Sequence, residues 1–248
     1  MKQTIILTLL WLASFSSSAQ FTMQGKIEFE RKTNLHRSLD DMKDEKGSNS
    51  WVDRVKAQSP KFKTSYFNYE FTTEKSLYQP GKETEEAVPM FGTSPAADNV
   101  VEMDFKTKQV KAIKNVFEEK FRIEDSLPRF TWKIYDEIRT IAQYQCRKAV
   151  TVISDSVYVV AFYTEDIPIS GGPEMFNGLP GMILQIAIPR LHTTWIATKI
   201  ELTTPDKTKL QISQKGKKVT QKEMLQQLQA SIHKWGNWAQ RAIWWCVI

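Results

Sequence analysis

The side chains that most often carry chemistry are few and scattered in this chain. His36, His192 and His233 are its three histidines, and none has the i, i+4 partner or the neighbouring Cys that a zinc site requires. No Gly-x-Ser-x-Gly elbow and no glycine-rich phosphate loop occurs. Glu165 and Asp166 are adjacent acids, but neighbours on a strand point to opposite faces and make a poor acid/base pair. The sequence therefore predicts no catalytic residue, no metal site and no cofactor, and a hydrolase is the least favoured function class.

Cys146 and Cys246 are the only cysteines. Joined, they would close a loop of about 100 residues, for which the chain-entropy model gives roughly 4 to 5 kcal/mol of stabilisation. Two small buried thiols are the alternative, and the spacing leaves both open. No histidine lies near either one in sequence, so neither reads as a catalytic thiol.

The richest segment is a connection of about 16 residues from Asp166 to Gly181, longer than most loops without a function or packing of their own. Its candidate binding residues are Asp166, Ile167, Pro168, Gly172, Pro173, Phe176, Gly178, Leu179, Pro180 and Gly181. Gly171-Gly172-Pro173 marks one turn and Gly178-Leu179-Pro180-Gly181 a second. Pro180 presets the second position of a type II turn, which predicts a positive φ at Gly181. Ile167, Ile169, Met175, Phe176 and Leu179 are more apolar side chains than a solvated connection carries. The segment is thus either a recognition or gating loop or a plug packed under a sheet.

The elements that must position this loop read mainly as strands. Ile27 and Phe29 alternate with Lys26, Glu28 and Glu30, and Val101, Met103 and Phe105 with Glu102 and Asp104. The same period recurs at Phe117, Phe121 and Ile123, at Phe130, Trp132 and Ile134, and at Ile196, Thr198, Ile200 and Leu202. Val157 to Tyr163 and Met182 to Ile188 are apolar on both faces, as in strands covered on each side. Leu35, Leu39 and Met42, then Trp51, Val52 and Val55, give an N-terminal helical excursion broken at Gly47 to Ser50. Thr220-Gln221-Lys222-Glu223 is a capping box, and Met224, Leu225, Leu228, Ile232, Trp235 and Ala239 follow at helical spacing, predicting one amphipathic helix over 221–243. Pro80 to Pro95 reads as a loop.

The expected fold is mainly β with added helices (α+β). It is a single antiparallel meander sheet or half-barrel, with the N-terminal excursion and the C-terminal helix packed on it. Inward Phe29, Phe105, Phe121, Trp132 and Tyr144 would line any hydrophobic cavity.

Composition agrees with a folded, exported chain. Of 248 residues 41% are hydrophobic, enough for a substantial core. Residues 1–19 read as a signal peptide: Lys2, an apolar run from Ile5 to Ala13, and small residues at Ser17 and Ala19. The run is far shorter than the roughly 20 residues of a membrane span, and residues 20–248 form one domain. The net charge of +6 is spread out, with its densest run at Lys215 to Lys218, which reads as a solvated turn; nucleic acid is not an expected partner. Of eight tryptophans, Trp235, Trp238, Trp244 and Trp245 fall near the C-terminus, and the stretch from Trp244 to Ile248 reads either as core or as a membrane or partner contact.

Tyr163 to Ile169, Gly172-Pro173 and Phe176 to Leu184 resemble the signature of the GLPGLI family, exported proteins of Bacteroidetes; the name motif stands here as Gly178-Leu179-Pro180-Gly181-Met182-Ile183. Trp132-Lys133-Ile134 and Tyr144 to Ala149 fit the same pattern, so the match is close over about residues 127–190. Met182 replaces Leu, Phe162 stands where Trp is usual, and a Gly-Arg pair is missing near Asp155-Ser156. The resemblance implies an envelope protein, periplasmic or associated with the outer membrane, and brings no catalytic residues with it. With the predicted architecture it leads to a binding or assembly factor for an apolar ligand or an envelope protein partner. The other reading is a structural or interaction protein with no small-molecule ligand.

Overall fold

A computed structural model describes residues 24–41, 50–82, 96–116, 119–154, 157–206, 208, 210–213, 216–232 and 237–248. The signal segment, Met42, Phe117, His233 and Trp235 lie outside them, as does most of the loop expected at Pro80 to Pro95.

Alternating residues build two meanders. The first runs through β1 (Gly25–Asn34), β2 (Phe62–Phe71), β3 (Lys75–Pro80), β4 (Val100–Asp104), β5 (Gln109–Val116) and β6 (Glu119–Ser126). The second comprises β7 (Lys133–Ile141), β8 (Tyr144–Val152), β9 (Tyr158–Thr164), β10 (Met182–Ile188) and β11 (Thr193–Glu201). Antiparallel pairing of β1 with β11, from Lys26 opposite Glu201 to Thr33 opposite Thr193, joins them into one open sheet. A short β12 (Lys217–Val219) adds to β6 in parallel and makes the sheet mixed. The half-barrel expectation holds, because the sheet stays unclosed while β7 curls back to approach β11.

Period 2 decides which side chains face inward. Ile27, Phe29 and Arg31 on β1, Phe67, Tyr69 and Phe71 on β2, Val101 and Met103 on β4, and Phe121 and Ile123 on β6 are all buried. The opposite face of β3 to β5 is covered by the segment after β11: Leu210 and Ile212 pack on Leu77 and Ile113, and the Ile212 amide donates to Glu102 Oε2 at 3.2 Å. β9 and β10 are buried on both faces along most of their length, as their unbroken apolar runs predict.

The strand expected around Phe130, Trp132 and Ile134 is not formed as read. Residues 127–132 are irregular, β7 begins at Lys133, and Ile134 is exposed. The cause is position: β7 is the last strand of the sheet and every residue on it except Ile141 is exposed, so its alternation has no dry side to match. Nor is the basic run a free turn. Lys217 and Lys218 lie on β12, where Lys218 pairs with Glu124 at 2.6 Å and Lys217 donates to Gln227.

The helices flank the sheet. α1 (Leu35–Asp40) and α2 (Ser50–Gln58) pack together through Leu39, Val52 and Val55, and Asn34 caps α1 by accepting from the Arg37 amide. The single C-terminal helix is corrected to two, α3 (Gln221–Ile232) and α4 (Asn237–Val247), which pack on each other. In the sequence, Gly236 is a poor helix former that interrupts the apolar stripe. The capping box is present: the Thr220 amide donates to Glu223 Oε2 at 2.7 Å and the Glu223 amide to Thr220 Oγ1 at 3.2 Å.

The C-terminal stretch belongs to the core. Trp245 and Ile248 are buried, and the Trp245 ring lies 6.1 Å from that of Trp195. Trp244 is half-buried beneath the Arg190 guanidinium. Trp245→Phe is expected to lower stability by about 1 to 2 kcal/mol through lost packing, and Trp244→Phe by less, when both are compared by thermal denaturation. Equal and negligible effects would move this stretch back to the surface.

Candidate functional site

The loop from Asp166 to Gly181 crosses the inner side of the sheet as a plug. Its five apolar side chains, Ile167, Ile169, Met175, Phe176 and Leu179, are all buried in the main core. Backbone bonds tie its first half to β10: the Met182 amide donates to the Ile167 carbonyl and the Ile183 amide to the Gly171 carbonyl, at 2.9 and 2.8 Å. Asn177 clamps the middle. Its side-chain amide donates to the carbonyls of Met175 and Pro128, and its own carbonyl accepts from Trp132 Nε1 at 2.8 Å. Of the ten candidate residues, Ile167, Gly172, Pro173, Phe176, Leu179 and Gly181 are therefore buried, while Asp166, Pro168, Gly178 and Pro180 are exposed.

The glycines act differently from expectation. Gly178, not Gly181, holds the positive φ, at +93°. Gly181 is needed for space: a Cβ there would stand 2.0 Å from the Thr164 carbonyl oxygen, because the turn brings the plug directly against the end of β9. Gly171 and Gly172 are similar, with a Cβ on either falling 2.2 Å from Tyr69 Oη or 2.7 Å from Ile183 Cβ. The type II turn inferred at Pro180-Gly181 is thus replaced by a close-packed turn.

The plug also carries a carboxylate that sequence reading missed. Glu174 is fully buried and has a left-handed backbone, φ +55°, which costs a non-glycine residue roughly 1 to 2 kcal/mol. Asn99 Nδ2 donates to its Oε2 at 2.8 Å and Tyr78 Oη to its Oε1 at 3.3 Å. Tyr78 Oη in turn accepts from Trp195 Nε1 at 3.1 Å. Two buried cations supply the positive field. Arg31 donates to the Ala96 carbonyl at 2.7 Å and lies among the rings of Phe67, Trp195 and Trp245, 4.8 to 5.9 Å away. Lys114 donates to the carbonyl oxygens of Cys246 and Ile248, which fastens α4 and its C-terminal end to β5.

Burial acts against each of these charges. It pushes the Glu174 carboxyl up from its ordinary range, an effect opposed by Asn99 and by the fields of Arg31 and Lys114. Burial likewise lowers Arg31 and Lys114, and Glu174 opposes both shifts. The three charges compensate one another within the buried core. The arrangement can hold the plug and the C-terminal helix in one register.

The aromatic residues expected to face inward do so. Phe29 and Phe121 are fully buried in the continuous core, with Phe105, Trp132 and Tyr144 against it. Among the described residues no group of three or more His, Cys, Asp and Glu is placed to hold a metal ion, and no helix is long and apolar enough to cross a membrane.

Cys146 and Cys246 are free and buried, so the bridge is not made in this structure. Burial pushes the Cys146 thiol up to about 12 and the Cys246 thiol up to about 11. Both are therefore expected to resist a thiol reagent at pH 8 in the folded protein and to react once denaturant is added. Rapid labelling of either in the native state would contradict this packing.

Residues 151–185 match the family model described as a protein of unknown function, Porph_ging. No curated protein matches the chain. Among solved structures, PNGF-II in its C2 and P21 crystal forms is similar at 17% identity, with TM-scores of 0.52 and 0.53. These alignments cover 90% and 87% of this chain but 33% and 34% of the other. The chain spans about a third of PNGF-II, and the likeness is one of fold. An uncharacterized conserved protein from Thermus thermophilus aligns at 6% identity and a TM-score of 0.39, over 86% of this chain and 99% of its own. The stretch similar to the Porph_ging family runs from the end of β8 through the whole plug into β10.

Proposed function

We propose that this chain is an exported cell-envelope protein of the GLPGLI type that acts as a binding or assembly factor, recognising a protein partner at its surface rather than an enclosed apolar ligand. The observation that carries this reading is the filled half-barrel. All five apolar side chains of the plug are buried, so emptying the interior for a lipophile would expose them, at about 1.5 to 3 kcal/mol for each large side chain. Recognition then falls to what the loop leaves outside: Glu165, Asp166, Pro168, Gly178 and Pro180, held on a rigid sheet. The reading includes a location in the periplasm or at the outer membrane, supported by the signal-like pattern of residues 1–19 and by the family resemblance.

The test uses protein purified from the cell envelope. The mature N-terminus is expected at Gln20, and native mass spectrometry is expected to find no stoichiometric lipophile. Cross-linking in cells should yield a defined partner that is lost in an Asp166→Lys, Pro168→Glu variant of unchanged melting temperature. A bound lipid at one per chain would instead favour the apolar-ligand reading.

A further inference from the structure

Away from the plug, a depression of about 380 Å³ opens at the rim of the sheet, lined by Asn34, Arg37, Ala187, Pro189, His192, Thr193 and Thr194. These residues include two basic side chains and no acidic one. We propose that it binds a phosphate-type oxyanion, with Arg37 as the anchoring cation and His192 Nδ1 accepting a hydrogen bond from a hydroxyl of the phosphate or of its carrier.

Three distant stretches build this site. The end of β1 and α1 supply Asn34, Arg37 and Asp41, the turn between β10 and β11 supplies His192, and α4 supplies Arg241. His192 has a left-handed backbone, φ +51°, an unusual conformation for a residue with a Cβ. Its Nε2 donates to Asp41 Oδ2 at 2.9 Å, which fixes the ring and leaves Nδ1 as its free nitrogen. Asp41 is held in turn by Arg241, whose guanidinium also donates to the Arg190 carbonyl at 3.0 Å and to Ser38 Oγ at 2.9 Å. The Arg241 side chain is only 11% exposed and its bonds go to these neighbours, so it is a positioning residue.

Arg37 is different. Its side chain is exposed at the depression, and among the described residues its guanidinium pairs with no acid. Among the described residues the Asp41 carboxylate is shared by His192 and Arg241, and the neighbouring Asp40 is taken by Lys56 at 2.7 Å, which leaves Arg37 as an uncompensated positive charge at the depression. That excess of fixed positive charge calls for an anion. A guanidinium matches a phosphate through two parallel N–H donors, and a tetrahedral oxyanion has enough acceptor oxygens to meet donors arriving from several sides. The volume is generous for one phosphate, so the group would sit on a larger carrier, either a lipid headgroup or a soluble phosphorylated molecule.

The mature protein should bind glycerol 3-phosphate saturably in calorimetric titration, and Arg37→Gln should weaken binding by about tenfold or more. Lys222→Gln, an exposed change on α3, should leave it unaltered. Asp41→Asn should weaken binding at an unchanged melting temperature and abolish the ligand-induced shift of the His192 ring resonances, which a merely structural role for Asp41 would not touch. A parallel arm measures binding to phosphatidylcholine vesicles with and without phosphatidic acid. Binding to phosphatidic acid vesicles alone, lost in Arg37→Gln, supports the site and assigns the lipid source. Saturable binding of glycerol 3-phosphate supports it and assigns the soluble source. No binding of either probe, or equal binding by wild type and Arg37→Gln, overturns the proposal. It does not rest on the partner-binding role and fails or stands separately from it.

Discussion

Glu174→Gln is expected to lower the unfolding free energy by about 3 to 5 kcal/mol, the usual cost of removing one partner from a buried set of charges. The glutamine keeps the shape of the side chain and an oxygen to accept from Asn99 or Tyr78. What it removes is the negative charge facing Arg31 and Lys114, both buried. Unfolding in urea, with the slope unchanged and the midpoint lowered, would measure it. The second half of the test is the double variant. Arg31→Met with Glu174→Gln removes one cation with the anion and leaves an apolar side chain among the rings of Phe67, Trp195 and Trp245. It should be destabilised by clearly less than the sum of the single changes, since the two residues share one field. A loss below about 1 kcal/mol for Glu174→Gln would mean that the charges are solvated.

Much of this network was legible in the strands, and one member was not. Arg31 follows Ile27 and Phe29 at the same parity, so the alternation that buried those two also places a guanidinium inside. Lys114 follows Val110 and Ala112 in the same way. A charged residue at an inward position in a strand was the available signal, and reading the apolar members alone passed over it. Glu174 lies in an irregular segment with no period, and its burial depends on the plug folding under the sheet. The pairing of β1 with β11 was illegible for a related reason: it joins residues some 170 positions apart in sequence, and local pattern carries no information about which strand a central strand will choose. The exposure of β7 failed for the opposite cause. Its alternation is real, but an edge strand has no second layer to bury it.

Gly181→Ala is expected to cost about 3 kcal/mol or more, and Gly178→Ala about 1 to 2 kcal/mol, an order opposite to what turn chemistry alone implies. At Gly178 the penalty is conformational: φ is +93°, but the nearest atom to an added Cβ is Trp132 Nε1 at an ordinary 3.5 Å. At Gly181 the added Cβ meets the Thr164 carbonyl oxygen at 2.0 Å and its carbon at 2.7 Å. Neither atom can yield alone, because Thr164 ends β9 and is opposite Met182 in the β9–β10 pairing. Relief would need separation of two strands covered on both faces, or withdrawal of the plug with Leu179 and Phe176. Comparing urea midpoints and amide exchange for the two variants distinguishes these responses. Faster exchange at Ile183 and Met182 in Gly181→Ala, whose amides bond to plug carbonyls, would show the plug lifting from β10. A Gly181→Ala variant as stable as wild type would show that the turn and β9 are not in contact. In that case the plug would be free to move, and the filled interior would no longer argue against an enclosed ligand.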